Sequence, residues 1–337
     1  MSGSLMRHLL VFLLFLHTTS VFAIDIIAHR GASGYLPEHT LEAATLAFAQ
    51  APDYIEQDVV LTADNIPVVL HDIHLETVTN VEQIFPDRAR PDGRFYTKDF
   101  TLSELRTLRV HERHDRAGEQ VYNHRYQGSQ ANFTIASLEE HIELIQQLNR
   151  AMDRNIGMYI EIKSPRWHKQ QGADISSIVL NVLREKGMLK PDRNLILQCF
   201  DFSENQRIRN MLGYKGKLVQ LVAENSWKES QTDFDWLLSE DGLDEVAEVA
   251  DGLGPWIPQL FAEKNKSSGF GKVSDWVSQA ASRGLFIHPY TYRSDADIEN
   301  IPGPALLKRL TKDVRIDGIF TDHVPAVKAF LKQRKDN

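Results

Sequence analysis

The sequence predicts an α/β protein built on a parallel sheet, and three observations carry that reading. Short apolar, β-branched runs alternate with helical patterns from Ile26 onward. There are eight such runs, each followed by a helical pattern. Charged and polar side chains gather at the ends of the runs, where parallel barrels place their chemistry. Each helix must return the chain to the same end of the sheet, which calls for right-handed crossovers. Eight such units close into a barrel, whereas six or so would leave an open, doubly wound sheet. No Gly-rich dinucleotide or P-loop fingerprint follows the first run, so the open-sheet nucleotide reading is weak.

In chain order, a strand at 25–28 leads to a helix near 40–50, and a strand at 54–60 follows. A helix at 137–149 precedes the strand at 158–162, and a helix at 175–186 precedes the strand at 195–199. Then come a helix at 203–212, a strand at 217–222, a helix at 243–249 and a strand at 250–253. The series ends with a helix at 273–283, a strand at 285–288, a helix at 305–311, a strand at 318–321 and a helix at 325–333.

One stretch breaks this rhythm. Residues 74–133 are polar and irregular, punctuated by Pro86, Pro91, Gly93 and Gly118. That is too long for a structureless loop in a compact domain, so a small inserted subdomain is expected there. It carries nine Lys and Arg against nine Asp and Glu, so its composition gives no ground for a basic funnel. His111 and His114 have a metal-like spacing, but a solvated loop is the better reading.

Residues 1–23 read as a signal peptide. Arg7 supplies the positive start, Leu9 to Leu16 an apolar run of eight, and Val21-Phe22-Ala23 a cleavage site. His17 and Thr18 end the run well short of the roughly 20 apolar residues a bilayer span needs. The rest, 24–337, holds no second long apolar run, so a soluble, secreted protein without stable membrane insertion is expected. Composition fits: 42% hydrophobic and 25% charged residues among 337, the proportions of a globular chain. Its net charge of −8 argues against a nucleic-acid partner. A single cysteine, Cys199, excludes an intrachain disulfide and a Cys-rich zinc site. The oligomeric state, a homodimer included, is not readable.

The chemistry gathers at strand ends. The first strand ends in His29-Arg30, pairing an imidazole with a planar fork that suits phosphate or carboxylate. In Tyr54-Ile55-Glu56-Gln57-Asp58-Val59-Val60, Glu56 and Asp58 project from one face, with Ile55 and Val59 on the other. Two neighbouring carboxylates repel when buried, and a divalent cation resolves the repulsion. All-oxygen ligands favour calcium or magnesium over zinc. Glu161 ends another strand and can complete the set, while Lys163 offers a charge for a phosphate oxygen. His71 closes the short apolar run Val68-Val69-Leu70. A phosphodiester needs such a cation and basic groups to neutralise it. Two imidazoles can then serve as base and acid.

At these residues the sequence closely resembles the glycerophosphodiester phosphodiesterase family, in particular its secreted periplasmic branch. The carriers are His29-Arg30, Glu56-Gln57-Asp58 and His71-Asp72, in that order and spacing. Leu36-Pro37-Glu38-His39-Thr40, Glu161-Ile162-Lys163, Leu197-Gln198-Cys199-Phe200-Asp201, His288-Pro289-Tyr290-Thr291 and Phe320-Thr321-Asp322 extend the match. The resemblance implies a TIM (β/α)8 barrel with a small subdomain inserted after the second strand. It implies Glu56, Asp58 and Glu161 as metal ligands, with calcium usual and magnesium or another divalent cation an alternative. His29 and His71 match the acid–base pair, and Arg30 with Lys163 match phosphate contacts. Glu38, Gln198, Trp256, Tyr290 and Asp322 are the softer candidates for lining the pocket. The implied substrates are small glycerophosphodiesters, cleaved to sn-glycerol 3-phosphate and an alcohol through a cyclic phosphate. The sequence departs from the family pattern at His39, where Asn is common, and along residues 110–115. Rival readings are a related phospholipase acting on membrane lipids and a barrel that binds without catalysing.

Overall fold

The computed structural model describes residues 24–190, 194–262, 264–265, 269–299 and 301–335, so the expected leader 1–23 lies outside the described residues. Numbered in chain order, the strands are β1 (Asp25–Ala28), β2 (Tyr54–Leu61), β3 (Pro67–Val69), β4 (Gly157–Ile162) and β5 (Leu195–Cys199). They continue as β6 (Lys217–Val222), β7 (Gly252–Pro255), β8 (Lys264–Asn265), β9 (Gly269–Phe270), β10 (Phe286–Ile287) and β11 (Gly318–Thr321).

Eight of these run parallel in the order β10-β7-β6-β5-β4-β2-β1-β11. The ring is nearly closed by the chain beyond β10. Asp317 N–H donates to the Ile287 carbonyl at 3.0 Å, and Phe320 N–H to the Pro289 carbonyl at 3.1 Å. The eight-stranded barrel expected from the alternation is therefore present, with its helices outside.

Period-two alternation sorts the side chains of each stave. Ile55 and Val59 of β2, and Met158, Ile160 and Ile162 of β4, point outward into the main apolar layer beneath the helices. The inward set at the barrel floor is Ile27, Tyr54, Tyr159, Ile196, Val219 and Phe320. One step up each strand, the inward positions become Glu56, Glu161 and Gln198. An apolar floor thus supports a polar mouth.

Helix starts are chemically marked. Thr40 caps the helix Leu41–Gln50 by accepting from Ala43 N–H at 3.1 Å. Ser137 opens the helix Leu138–Ala151 with a capping box: its hydroxyl accepts from Glu140 N–H, and the Glu140 carboxylate accepts from Ser137 N–H.

Two strands differ from expectation. β7 lies two residues later than the expected 250–253, because its pattern is masked by Gly252 and Gly254. A Cβ at Gly252 would sit 2.4 Å from the Phe286 ring, so this strand gives up side chains to admit a neighbour's aromatic. The run before His71 forms β3, antiparallel to β2, with Val59 opposite Val69. It is a returning hairpin arm and no barrel stave, and it swings His71 back over the end of β2.

Residues 74–133 form short helices, Val81–Ile84 and Leu102–Leu105, and 3-10 turns at Pro86–Arg88 and Thr97–Asp99, joined by turns and isolated bridges. Their apolar side chains, Phe95, Phe100, Leu105 and Leu108 among them, pack on Val60, Val68 and Leu70 of the β2–β3 hairpin. Fully burying residues of this size contributes about 1.5–3 kcal/mol each, before conformational entropy is set against it.

Candidate active site

Because β2 and β4 are adjacent and in register, with Asp58 opposite Glu161, their inward carboxylates meet at the mouth. Glu56, Asp58 and Glu161 are all buried and offer oxygens within 4.8 Å of one another. This cluster is the one group of three or more metal-capable side chains among the described residues. Burial, together with repulsion from Asp58 and Glu161, pushes the Glu56 carboxyl well above its usual range. Burial likewise raises Glu161, despite Lys163 Nζ at 2.8 Å. Burial also opposes ionisation of Asp58, but the His39 ring, bonded to its Oδ2 at 2.8 Å, and Lys163 hold its carboxyl well below the usual range. Asp58 Oδ1 is buried with no hydrogen-bond partner. An oxygen-seeking divalent cation satisfies each of these features at once, so the residues fit such an ion.

Each imidazole is tied from behind. His29 Nδ1 lies 2.6 Å from Asp322 Oδ1, and His71 Nδ1 lies 2.8 Å from Asp72 Oδ1. An ionised carboxylate can only accept, so Nδ1 carries the proton and Nε2 keeps its lone pair. Burial pushes His29 down to about 4, with Arg30 adding to the effect and Asp322 opposing it. Burial, then Arg30 and Lys163, push His71 down to about 3. Both rings are therefore neutral near pH 7. His29 Nε2 stands 3.8 Å from Glu56 Oε2, beside the carboxylate cluster. His71 Nε2 stands 3.4 Å from Lys163 Nζ.

Arg30 joins these parts. Its backbone sits in the left-handed region at φ +57°, and its N–H donates to Glu56 Oε2 at 2.9 Å. Its guanidinium reaches both oxygens of Glu38, at 3.1 and 3.0 Å.

A cavity of about 300 Å³ opens above the cluster. His29, Arg30, Glu56, Asp58, His71, Glu161 and Gln198 line it, and so do Trp256 and Tyr290. Gln198 donates to Glu56 Oε1 at 3.0 Å, fixing that carboxylate. The Tyr290 hydroxyl donates to the Val222 carbonyl at 2.7 Å, which leaves the ring face to form a wall. Three expected residues stand back from this cavity. Asp322 is buried behind His29, Glu38 is gripped between Arg30 and Arg113, and Lys163 is paired with Glu161. His111 and His114 meet each other, with their Nδ1 atoms 3.1 Å apart and both near the Glu112 carbonyl.

Several participants escaped the sequence reading. Arg113, Arg125 and Arg293 reach carboxylates far along the chain, and no periodicity marks them. Phe200, just past β5, and Trp227 and Glu229, past β6, complete the cavity wall. Asp72 stood in the His71-Asp72 pair, but its place behind the His71 ring was not read from it.

A parallel barrel whose mouth holds a three-carboxylate cluster able to take a divalent ion, between two imidazoles and an arginine, defines a hydrolase of the kind that works on anionic esters. The chain belongs to the glycerophosphoryl diester phosphodiesterase family, whose model matches residues 29–326. It is 40% identical over 326 residues to a glycerophosphodiester phosphodiesterase of Haemophilus influenzae, covering 91% of this chain and 89% of that one. A glycerophosphodiester phosphodiesterase of Treponema pallidum is 35% identical over 287 residues, covering 80% of this chain and 81% of its own length. A solved Oleispira antarctica phosphodiesterase, in complex with the product sn-glycerol-3-phosphate, shares the fold at a TM-score of 0.62 and 21% identity. That likeness covers 91% of this chain and 96% of the other.

Proposed function

We propose that this chain hydrolyses soluble glycerophosphodiesters, such as glycerophosphocholine and glycerophosphoethanolamine, to sn-glycerol 3-phosphate and the free alcohol. The observation that carries this reading is the single cavity onto which three carboxylates, two neutral imidazoles and Arg30 all open. Glu56, Asp58 and Glu161 hold the divalent ion, calcium by the family resemblance, with magnesium sharing the same preference for oxygen. When bound, that ion supplies positive charge that offsets the diester's own.

The remaining work belongs to the chain's residues. One imidazole takes the proton of the glycerol 2-hydroxyl through Nε2. The freed oxygen bonds to phosphorus as the bond to the headgroup oxygen breaks, and the other imidazole protonates that departing oxygen. The neighbouring hydroxyl is already tethered to the phosphate, so proximity lowers the barrier. Water then opens the cyclic phosphate with the two rings exchanging roles. Both rings are neutral at rest, and an anionic phosphate beside either one favours its protonated form. Arg30 bonds a phosphate oxygen, and Lys163 supports the charge from behind Glu161. Trp256 and Tyr290 wall the headgroup side.

Export belongs to the same reading. Arg7 and the apolar run from Leu9 to Leu16 support cleavage of 1–23 and a periplasmic location. Among the described residues no helix is long and apolar enough to cross a membrane.

A coupled assay for released glycerol 3-phosphate, run over a panel of diesters and intact phospholipids, tests the proposal. Release from the soluble diesters alone is expected. Faster release from phospholipid, or none from any diester at any calcium concentration, contradicts it.

A further inference from the structure

We infer that Arg113 and Arg125 are positioning residues: from one short stretch of the 74–133 segment, each grips the carboxylate that orients one imidazole. This deepens the proposed function and rests on the two rings acting as acid and base.

On one side, Arg113 Nη1 donates to Asp72 Oδ2 at 2.6 Å, while Asp72 Oδ1 takes the His71 Nδ1 proton at 2.8 Å. The same guanidinium donates through Nε and Nη2 to the two oxygens of Glu38, at 3.0 and 2.6 Å. Across the mouth, Arg125 Nη2 donates to Asp322 Oδ2 at 2.7 Å, while Asp322 Oδ1 takes the His29 Nδ1 proton at 2.6 Å. Arg125 also reaches Asp295 at 2.9 and 3.2 Å and the Ser33 carbonyl at 3.3 Å. Its guanidinium lies 3.6 Å from the Tyr122 ring centroid, on the same stretch.

Neither arginine lines the 300 Å³ cavity, so neither is placed to touch a diester held there. Both line an adjoining space of about 180 Å³ that His29, Arg30 and His71 share, together with Glu38, Asp322 and Arg293. They therefore act through their carboxylates. A carboxylate with one oxygen held by a guanidinium N–H, itself anchored by a second carboxylate, keeps the other oxygen fixed for the ring, and the ring cannot turn its Nε2 away. The inserted segment thus reaches both carboxylates that orient the imidazoles. The two clamps differ in redundancy. Asp322 retains Arg293 at 2.8 Å when Arg125 is removed, whereas Arg113 is the arginine bonded to Asp72.

The test is a pair of double-mutant cycles on glycerophosphocholine hydrolysis, with melting temperature as the control for folding. Arg113→Gln should lower kcat about 10–100-fold with KM nearly unchanged. Arg125→Gln should lower kcat less, because Arg293 remains. Adding Arg113→Gln to Asp72→Asn, or Arg125→Gln to Asp322→Asn, should cost nothing beyond the carboxylate change alone. Multiplicative losses within either pair, a rise in KM with kcat intact, or wild-type kcat in either single variant overturns the inference. Should a glutamine variant fail to fold, the Arg→Lys variants carry the same test, since lysine keeps the charge and loses the fork. They should lower kcat with KM held, and wild-type kcat overturns the inference. Failure of the acid–base reading itself would look different: His29→Ala or His71→Ala would then keep near-normal turnover.

Discussion

Glu56, Asp58 and Glu161 are held in an arrangement that is costly without a partner, since three buried carboxylates within 4.8 Å cannot all ionise unaided. Replacing Glu56 or Asp58 by its amide should weaken calcium binding and turnover together, measured by titration calorimetry beside the coupled assay. Lost turnover with calcium affinity intact would separate the carboxylates from the ion. Removing either imidazole should lower kcat about 10²–10⁴-fold, the usual contribution of general acid or base catalysis. A steady-state comparison of His29→Ala and His71→Ala with the parent reads this directly. These five positions were legible because each sits at the end of an apolar run, and a two-residue spacing puts carboxylates on one face. Asp322 was legible as a site residue but not as the group behind His29, because β1 and β11 pair directly although they stand at opposite ends of the chain. Arg113 and Arg125 left no local trace, since what singles them out is a partner distant in sequence.

At the scale of the element, the strands announced themselves where side chains alternate and went quiet where glycine replaces them. β2 shows both faces in its sequence, whereas β7 hides its inward face behind Gly252 and Gly254. β3 was too short to read as a strand, and its antiparallel direction depends on the turn after β2. The capping box at Ser137 gives a prediction that belongs here: Ser137→Ala should lower unfolding free energy by about 1 kcal/mol, read from a urea melt. No change would mean the helix Leu138–Ala151 is held by packing alone. In the 74–133 segment, Phe100 is wholly buried in a cluster shared with the β2–β3 hairpin. The hairpin that delivers His71 therefore has its own apolar support.

Across the whole molecule, burial sets the response to acid. His141, His168 and His288 are buried, and burial pushes each down to about 3. His168 has neither ring nitrogen hydrogen-bonded. Unfolding restores the ordinary value near 6.5, so the unfolded chain binds more protons below that pH. The stability these neutral rings allow is complete above about pH 6.5 and drains away as pH falls toward about 3. His168→Phe should lose less stability than the parent between neutral and mildly acidic buffer, judged by urea midpoints. Parallel declines would remove His168 from the explanation. The closed barrel was readable from eight alternating units, whereas the irregular chain after β10 that completes the ring left no periodic trace. The carboxylates of β2 and β4 are expected to share a single divalent ion. The most direct measurement follows glycerol 3-phosphate release by chelator-stripped protein as calcium is returned. Turnover should be absent at first and recover to a plateau at one ion bound per chain; full turnover in the stripped protein would contradict the account.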